Sequence, residues 1–326
     1  MIQDPPLRLS VLMPLRDDWQ SCGELIRRID RAMAPDSCTI EVLLVDDGSL
    51  LRWSPDDFQG DFAVVRAIRT LRLRRNLGHQ RAIAVGLVHV HQAASYDAVV
   101  VMDADGEDTP EGLARLLREY SSGHGTKLIF AERSRRSESL VFRFFYQFFK
   151  GLHWCLTGVS VKVGNFSIVP IQYLNTLVVM SELWNHYAAA VFRSKLPFTM
   201  VPIPRGTRIA GTSKMNFVAL VSHGLSAISV FGDIVGVRIL IAALVGCLLS
   251  ALGIVVVAFV RFFTNLAIPG WATNAAGILA IIMIQLFTVA ASFTFYVLAN
   301  RANLEFVPLR DYALFVEPTV EIFPHE

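Results

Sequence analysis

The sequence predicts an α/β domain on a largely parallel, doubly wound sheet, followed by two apolar membrane-crossing helices. Three observations carry this expectation. Short apolar runs alternate with helical patterns through the N-terminal half, two of those runs end in closely spaced acids, and two long stretches after Val235 are almost free of charge.

Leu9 to Pro14 reads as the first strand, followed by a polar turn from Leu15 to Trp19. Glu24 to Met33 is helical, with Leu25, Ile26 and Ile29 on one face. Ile40 to Val45 is a second buried strand and ends in Asp46-Asp47-Gly48-Ser49. Val64 to Ile68 reads as a short strand, with Arg69 to Arg75 a basic exit. Asn76-Leu77-Gly78-His79-Gln80 then opens a helix through Ala82, Ala84, Val85 and Leu87. Ala98 to Met102 is a buried strand that delivers Asp103 and Asp105 at its carboxyl end. Thr109-Pro110-Glu111 starts a helix reaching Tyr120, and Lys127 to Ala131 is the next strand. Ligands of such sheets bind beyond the carboxyl ends of the strands, where both acidic groups fall.

Two carboxylates one residue apart at a strand end can turn onto one hard cation. Oxygen donors suit Mg²⁺ or Mn²⁺, which keep waters and bridge a substrate diphosphate. A lone DxD is equally a solvated acidic loop; two acidic strand ends in one sheet favour a ligand site.

Bulk properties narrow the class. Hydrophobic residues make up 53% of the 326 and the net charge is only +2, so no nucleic-acid partner is expected. Mean hydropathy is +0.46, with the excess concentrated after Val235. Cys22, Cys38, Cys155 and Cys247 have no CxxC spacing, which argues against zinc or a disulfide framework. The start, MIQDPPLRLS, lacks the features of a cleaved signal peptide.

An ordered series of motifs adds specificity. Pro14 follows strand one, then come Val45-Asp46-Asp47-Gly48-Ser49, Asn76-x-Gly78-x-x-x-Ala82, Met102-Asp103-Ala104-Asp105 and an arginine cluster at Arg133, Arg135 and Arg136. Gly164-Asn165-Phe166-Ser167 and a run from Arg205 through Arg208 and Ser213 to Lys214 complete it. On these residues the chain resembles an inverting family 2 glycosyltransferase with the GT-A nucleotide-sugar (Rossmann-like) fold, in the polyprenyl-phosphate glycosyltransferase branch typified by dolichyl-phosphate mannose synthase. The resemblance implies that Pro14, Asp46, Asp47, Asn76, Gly78 and Asp103 bind the nucleotide. It implies that Asp105, with Asp103, holds Mg²⁺ or Mn²⁺, that Asp108 orients sugar or water, and that Gly78 permits close backbone approach. Asp103, Asp105, Asp108, Arg133 and Arg208 would then be the catalytic set. Arg16-Asp17 and Gly106-Glu107 depart from the Asn-Glu and Leu-Gln usual in the branch. Those departures bear on sugar and acceptor choice.

An alcohol acceptor needs a general base, whereas a polyprenyl phosphate is already anionic and needs cations. By the resemblance, Arg133 and Arg208 first, then Arg135, Arg136, Arg205, Ser213 and Lys214, hold that phosphate. No Gln-x-x-Arg-Trp string occurs, which favours single transfer over chain extension. Glu182 and His186 stand at i,i+4 and would share a helix face, either as a base for a hydroxyl acceptor or as structural caps.

Residues 139–156 mix seven aromatic side chains with Arg143, Lys150 and His153. That pattern fits an interfacial amphipathic helix or a core helix under the sheet. Residues 216–234 form a second such helix. Residues 239–260 and 275–298 are each long enough to cross a bilayer. Arg238, Arg301 and Arg310 against Arg261 put both termini in the cytoplasm by the positive-inside tendency.

The expected plan is a catalytic domain over 1–235, a hairpin over 236–300 and a cytoplasmic tail over 301–326. Expected partners are a nucleotide-sugar donor, a polyprenyl-phosphate acceptor, membrane lipid and, through the membrane region, a second copy of the chain. A hydroxyl acceptor on a lipid or lipid-linked glycan is the alternative, and a non-catalytic scaffold is the rival outside enzymes.

Overall fold

The computed structural model describes residues 6–35, 37–93, 95–133, 140–159, 163–210, 217–265, 268–302 and 306–324. The chain divides into two compact units, one of residues 1–146, 159–230 and 305–326, the other of 147–158 and 231–304.

Among the described residues the first unit is built on an eight-stranded sheet. Strand β1 (Leu7–Leu15) pairs in parallel with β2 (Cys38–Asp46) and β4 (Ala98–Val101), and β2 with β3 (Val65–Arg72). Beyond β4 lies β6 (Val163–Pro170), which runs antiparallel to it and to β5 (Leu128–Arg133). Strand β7 (Phe198–Ile203) extends β5 in parallel, and β8 (Val320–Phe323) closes the far edge antiparallel to β3. The order is β7-β5-β6-β4-β1-β2-β3-β8.

Helices cover both faces, which is why β4 (Ala-Val-Val-Val) and the Val42–Val45 stretch of β2 are continuous apolar runs. Leu9, Val11 and Met13 of β1 pack in one cluster with Leu25, Ile26 and Ile29 of α1 (Trp19–Ala32) and Leu113 and Leu116 of α3 (Pro110–Ser122). Leu12, Val99 and Val101 meet the opposite layer: α2 (His79–Ala93), α5 (Ile171–Leu177) and α6 (Tyr187–Ser194). Thr109 caps α3 by accepting from Gly112 N at 3.1 Å, and Pro110 fills the first helical position, where no backbone donor is missed.

The structure corrects several expected boundaries. Helix α1 begins at Trp19, well before Glu24, because Trp19 and Cys22 already pack into the core. Strand β3 continues through Arg72 where a basic exit was expected after Ile68. Its arginines are accommodated by acids on neighbouring strands: Arg69 pairs with Glu41 and Glu321, and Arg72 Nε lies 3.6 Å from Asp46. The tail, for which the sequence offered no role, supplies β8 and buries Ile322 in the sheet's core. A short helix, α10 (Pro308–Asp311), precedes it, and Phe306 and Phe315 pack against Trp184.

The expected 139–156 helix is α4 (Leu140–Thr157). The expected single helix over 216–234 is instead divided. Helix α7 (Phe217–Ser229) ends, and α8 (Gly232–Phe263) starts afresh with Asp233 in its first turn, where a carboxylate suits the positive end of the helix dipole.

In the second unit, α8 and α9 (Trp271–Ala302) are long and apolar enough to cross a membrane, with mean hydropathies of 2.9 and 2.2 over their most apolar windows. They contain the expected spans. Glycines on α8 let α9 approach: a Cβ at Gly236 would meet Phe293, one at Gly246 Leu286, and one at Gly253 Leu279. The descending partner numbers describe an antiparallel hairpin. Leu248, Phe262, Phe287 and Phe295 stay exposed on its outside.

Helix α1 touches the turn at Pro55–Phe58 so closely that a Cβ at Gly23 would overlap the backbone oxygen of Asp57. Gly23→Ala is therefore expected to destabilise the first unit by about 1–3 kcal/mol. Thermal unfolding of the detergent-solubilised protein measures this, and a variant melting with the wild type would contradict the packing.

Candidate active site

The parallel strands β1, β2 and β4 end at one edge, and β5 and β7 end there too, in the register Arg133↔Ile203. Pro14 lies beyond the last β4 residue paired with β1, so its missing N–H interrupts no ladder on that side. After β2, Asp46 accepts from Ser49 N at 2.7 Å and turns the chain. Asp47, 6% exposed, accepts from Leu77 N at 2.6 Å and Gly78 N at 2.9 Å. Burial pushes the Asp47 carboxyl above its ordinary range, against those two backbone bonds.

Asp47 thus ties the β2 exit to the Asn76–Gly78 loop. Gly48 allows the approach, since a Cβ there would stand 2.8 Å from Asn76 N. Gly78 has φ +94°, a conformation that favours glycine, while a Cβ would meet nothing within 4 Å. The close backbone approach expected at Gly78 has no protein neighbour to explain it; the backbone angle explains the glycine, and open space lies beside it.

After β4 the chain folds onto itself. Asp103 N donates to Asp108 Oδ2 at 2.9 Å, and Glu107 N to Asp105 Oδ1 at 2.9 Å. Asp108 is almost fully buried. The segment after β7 lies along this loop, with Gly206 N donating to Glu107 O and Ile209 N to Asp105 O, both at 2.9 Å. Its arginines meet the acids: Arg208 donates from Nε at 3.0 Å and Nη2 at 2.8 Å to Asp105 Oδ2, and Arg205 pairs with Glu107. Burial raises the Asp105 carboxyl, Asp103 raises it further, and Arg208 pulls it back. Burial lowers the Arg205 guanidinium despite Asp105 and Asp103 nearby. Its Nε is buried without a hydrogen-bond partner among the described residues.

Of the other expected cations, Arg133 closes β5 at the same end of the sheet. Arg135, Arg136, Ser213 and Lys214 lie outside the described residues. No group of three or more metal-ligating side chains occurs among the described residues. Asp103 and Asp105, the two carboxylates expected to hold a cation, stand together at the strand end.

In the sequence His79 stands only as part of the segment that opens a helix. In the structure His79 Nε2 lies 3.2 Å from Asp103 Oδ1 and 2.9 Å from the amide nitrogen of Asn165. Burial would depress His79, but Asp103, then Asp108 and Asp47, outweigh it and the net shift is upward. Behind His79, Gln80 donates to Asn165 Oδ1 at 3.1 Å and accepts from Tyr187 N at 2.7 Å. The Gly164–Ser167 motif flagged Asn165 without showing this partner.

Glu182 and His186 do not share a helix face. A 3₁₀ turn ends at Trp184, and His186 caps the separate helix α6, its Nδ1 accepting from Ala189 N at 3.3 Å. Glu182 accepts from Arg193 Nε at 2.7 Å. Both contacts are structural, one of the two readings the sequence left open.

The family profile described as glycosyl transferase family 2 matches residues 10–177. The chain is similar to the uncharacterized glycosyltransferase YkcC of Bacillus subtilis, at 23% identity over 277 residues, covering 82% of this chain and 81% of that protein. It is similar to undecaprenyl-phosphate 4-deoxy-4-formamido-L-arabinose transferase of Klebsiella pneumoniae, at 25% identity over 256 residues, covering 72% and 74%. In fold it resembles glucosyl-3-phosphoglycerate synthase from Mycobacterium tuberculosis, solved in complex with Mn²⁺, uridine-diphosphate-glucose and phosphoglyceric acid. That likeness has a TM-score of 0.51 at 14% identity, covers 71% of this chain and 80% of the other, and establishes the GT-A-like fold alone.

Asp47→Ala leaves two inward-facing backbone donors without an acceptor. It is expected to cost about 1–3 kcal/mol of stability and to weaken nucleotide affinity. Unfolding and calorimetry on the same preparation measure both effects. Unchanged values in both would remove Asp47 from the site.

Proposed function

We propose, for a chain that belongs to glycosyl transferase family 2, inverting transfer of one sugar from a nucleoside-diphosphate sugar to a polyprenyl phosphate at the cytoplasmic face of a membrane. The observation that carries the reading is the pairing of Arg208 with Asp105. It puts a guanidinium from the arginine segment directly beside the acids of the β4 end. An acceptor phosphate needs such cations and no base, and a guanidinium offers phosphate the same two-pronged contact it offers carboxylate. Arg208 is held ready on Asp105 and passes to phosphate when an anion enters. Arg205 adds positive charge beside the same acids, and the backbone of Arg133 ends β5 at the same end of the sheet.

Asp47 with the Asn76–Gly78 loop is the proposed nucleotide site, beside the open space at Gly78. Asp103 and Asp105 would hold Mg²⁺ or Mn²⁺, since carboxylate oxygens suit a hard cation. The cation supplies charge neutralisation of the leaving diphosphate when bound. Mn²⁺ in the complex of the mycobacterial synthase supports this choice. Asp108 braces Asp103 through its backbone and shapes the loop facing the sugar.

The acceptor class draws support from the undecaprenyl-phosphate relatives and from the two apolar helices, which would hold the catalytic unit where a lipid phosphate surfaces. A hydroxyl acceptor would need a base, and Glu182, the residue considered for it, is engaged by Arg193.

Incubating the purified protein with radiolabelled nucleotide sugars and polyprenyl phosphate should give an acid-labile sugar phosphate. An acid-stable product formed on diacylglycerol instead would refute the acceptor assignment. Asp105→Ala should lower turnover by about 100-fold or more with the melting temperature retained; near-wild-type turnover would remove Asp105 from the metal role.

A further inference from the structure

The first turn of a helix leaves backbone donors that no carbonyl of that helix accepts. In α6 one of these, Ala189 N–H, is taken by Nδ1 of His186 at 3.3 Å. That contact fixes the direction of the hydrogen bonds beyond it. A neutral imidazole has one N–H and one lone pair, so His186, accepting at Nδ1, carries its hydrogen on Nε2. This nitrogen lies 3.2 Å from Nε2 of His223 on α7, with ring centroids 4.6 Å apart. His223 must therefore accept at Nε2 and carry its own hydrogen on Nδ1. Among the described residues nothing bonds that Nδ1.

The surroundings agree with a neutral ring. Burial lowers the His223 pKa, the charge of His79 lowers it further, and Asp103 opposes both. Geometry places the pair near the β4 end, where the substrates of the proposed function would meet. His223 touches His186, the next residue Tyr187 donates its N–H to Gln80, and the neighbouring His79 lies 3.2 Å from Asp103.

We propose that His186 locks His223 in the Nδ1–H tautomer, and that this N–H donates a hydrogen bond to a phosphoryl oxygen of a bound substrate. The substrate class rests on the proposed function: the donor diphosphate and the lipid phosphate both bring such oxygens. His223 is then a donor and not a base, because its one lone pair already accepts from His186. His186 is a positioning residue that acts through His223.

Histidine-selective ¹⁵N labelling of the full chain in detergent micelles reads the tautomer directly. His223 should show a pyrrole-type Nδ1 and a pyridine-type Nε2, assigned by the signals lost in His223→Asn. In His186→Asn, which keeps a capping side chain, His223 should shift toward the Nε2–H form. In kinetics, His223→Ala should raise one KM about tenfold or more, and His223→Asn, whose amide N–H can overlay Nδ1, should recover most of the loss. A raised KM for polyprenyl phosphate identifies the lipid phosphate as the partner; a raised KM for the nucleotide sugar identifies the diphosphate. An Nε2–H or doubly protonated His223 in the wild type overturns the proposal, as does an alanine variant with both KM values unchanged. If polyprenyl phosphate proves to be no substrate, the proposed acceptor fails separately. The tautomer remains measurable, and calorimetry of His223→Ala with nucleoside diphosphate still tests the hydrogen bond.

Discussion

Gathering carboxylates at one end of a sheet is unfavourable unless each is given a specific partner, because burial and mutual repulsion both oppose their charge. Asp47 and Asp105 are both pushed above the ordinary carboxylate range by burial. The loops around them supply the compensation. Backbone N–H groups at Leu77 and Gly78 turn onto Asp47, Ser49 N onto Asp46, Asp103 N onto Asp108, and the Arg208 guanidinium onto Asp105. The local conformations of four separate connections, those after β2, β3, β4 and β7, follow from those pairings. Under the proposed function, a cluster held this way has charge to exchange when a cation and an anionic substrate arrive together.

The sheet makes the gathering possible. Parallel strands bring their carboxyl ends to one side, so segments far apart in sequence deliver side chains to one place. The antiparallel strand β6 enters from that side and adds Asn165 to His79. The C-terminal segment returns to the sheet after α9 and covers the outer edge of β3, which would otherwise present unpaired backbone groups.

Much of this was legible in the sequence, for identifiable reasons. Apolar runs that stop at acids, as at Val45-Asp46 and Met102-Asp103, mark buried strands and their functional ends together, and uncharged stretches the length of α8 and α9 leave few alternatives. Contacts across long sequence separations were not legible: nothing local to His79 or Asn165 announces a partner 86 positions away. The segment at Glu182 and His186 misled because spacing was read as one helix, while the break at Asn185 carries neither glycine nor proline. Strand β8 was missed because four residues among prolines give too short a pattern, and its role emerges only from pairing with β3. Arg69 and Arg72 resembled the end of a strand because their acidic partners sit on other strands.

The central claim is that the acidic sheet end binds a nucleoside diphosphate together with a divalent cation. Isothermal titration calorimetry of the full chain with a panel of nucleoside diphosphates, with Mn²⁺ and after its removal by chelator, addresses it directly. At least one nucleotide should bind with a dissociation constant of about 100 μM or tighter in Mn²⁺ and lose roughly tenfold or more without it. Failure of every nucleotide to bind, or an affinity indifferent to the cation, would contradict the account.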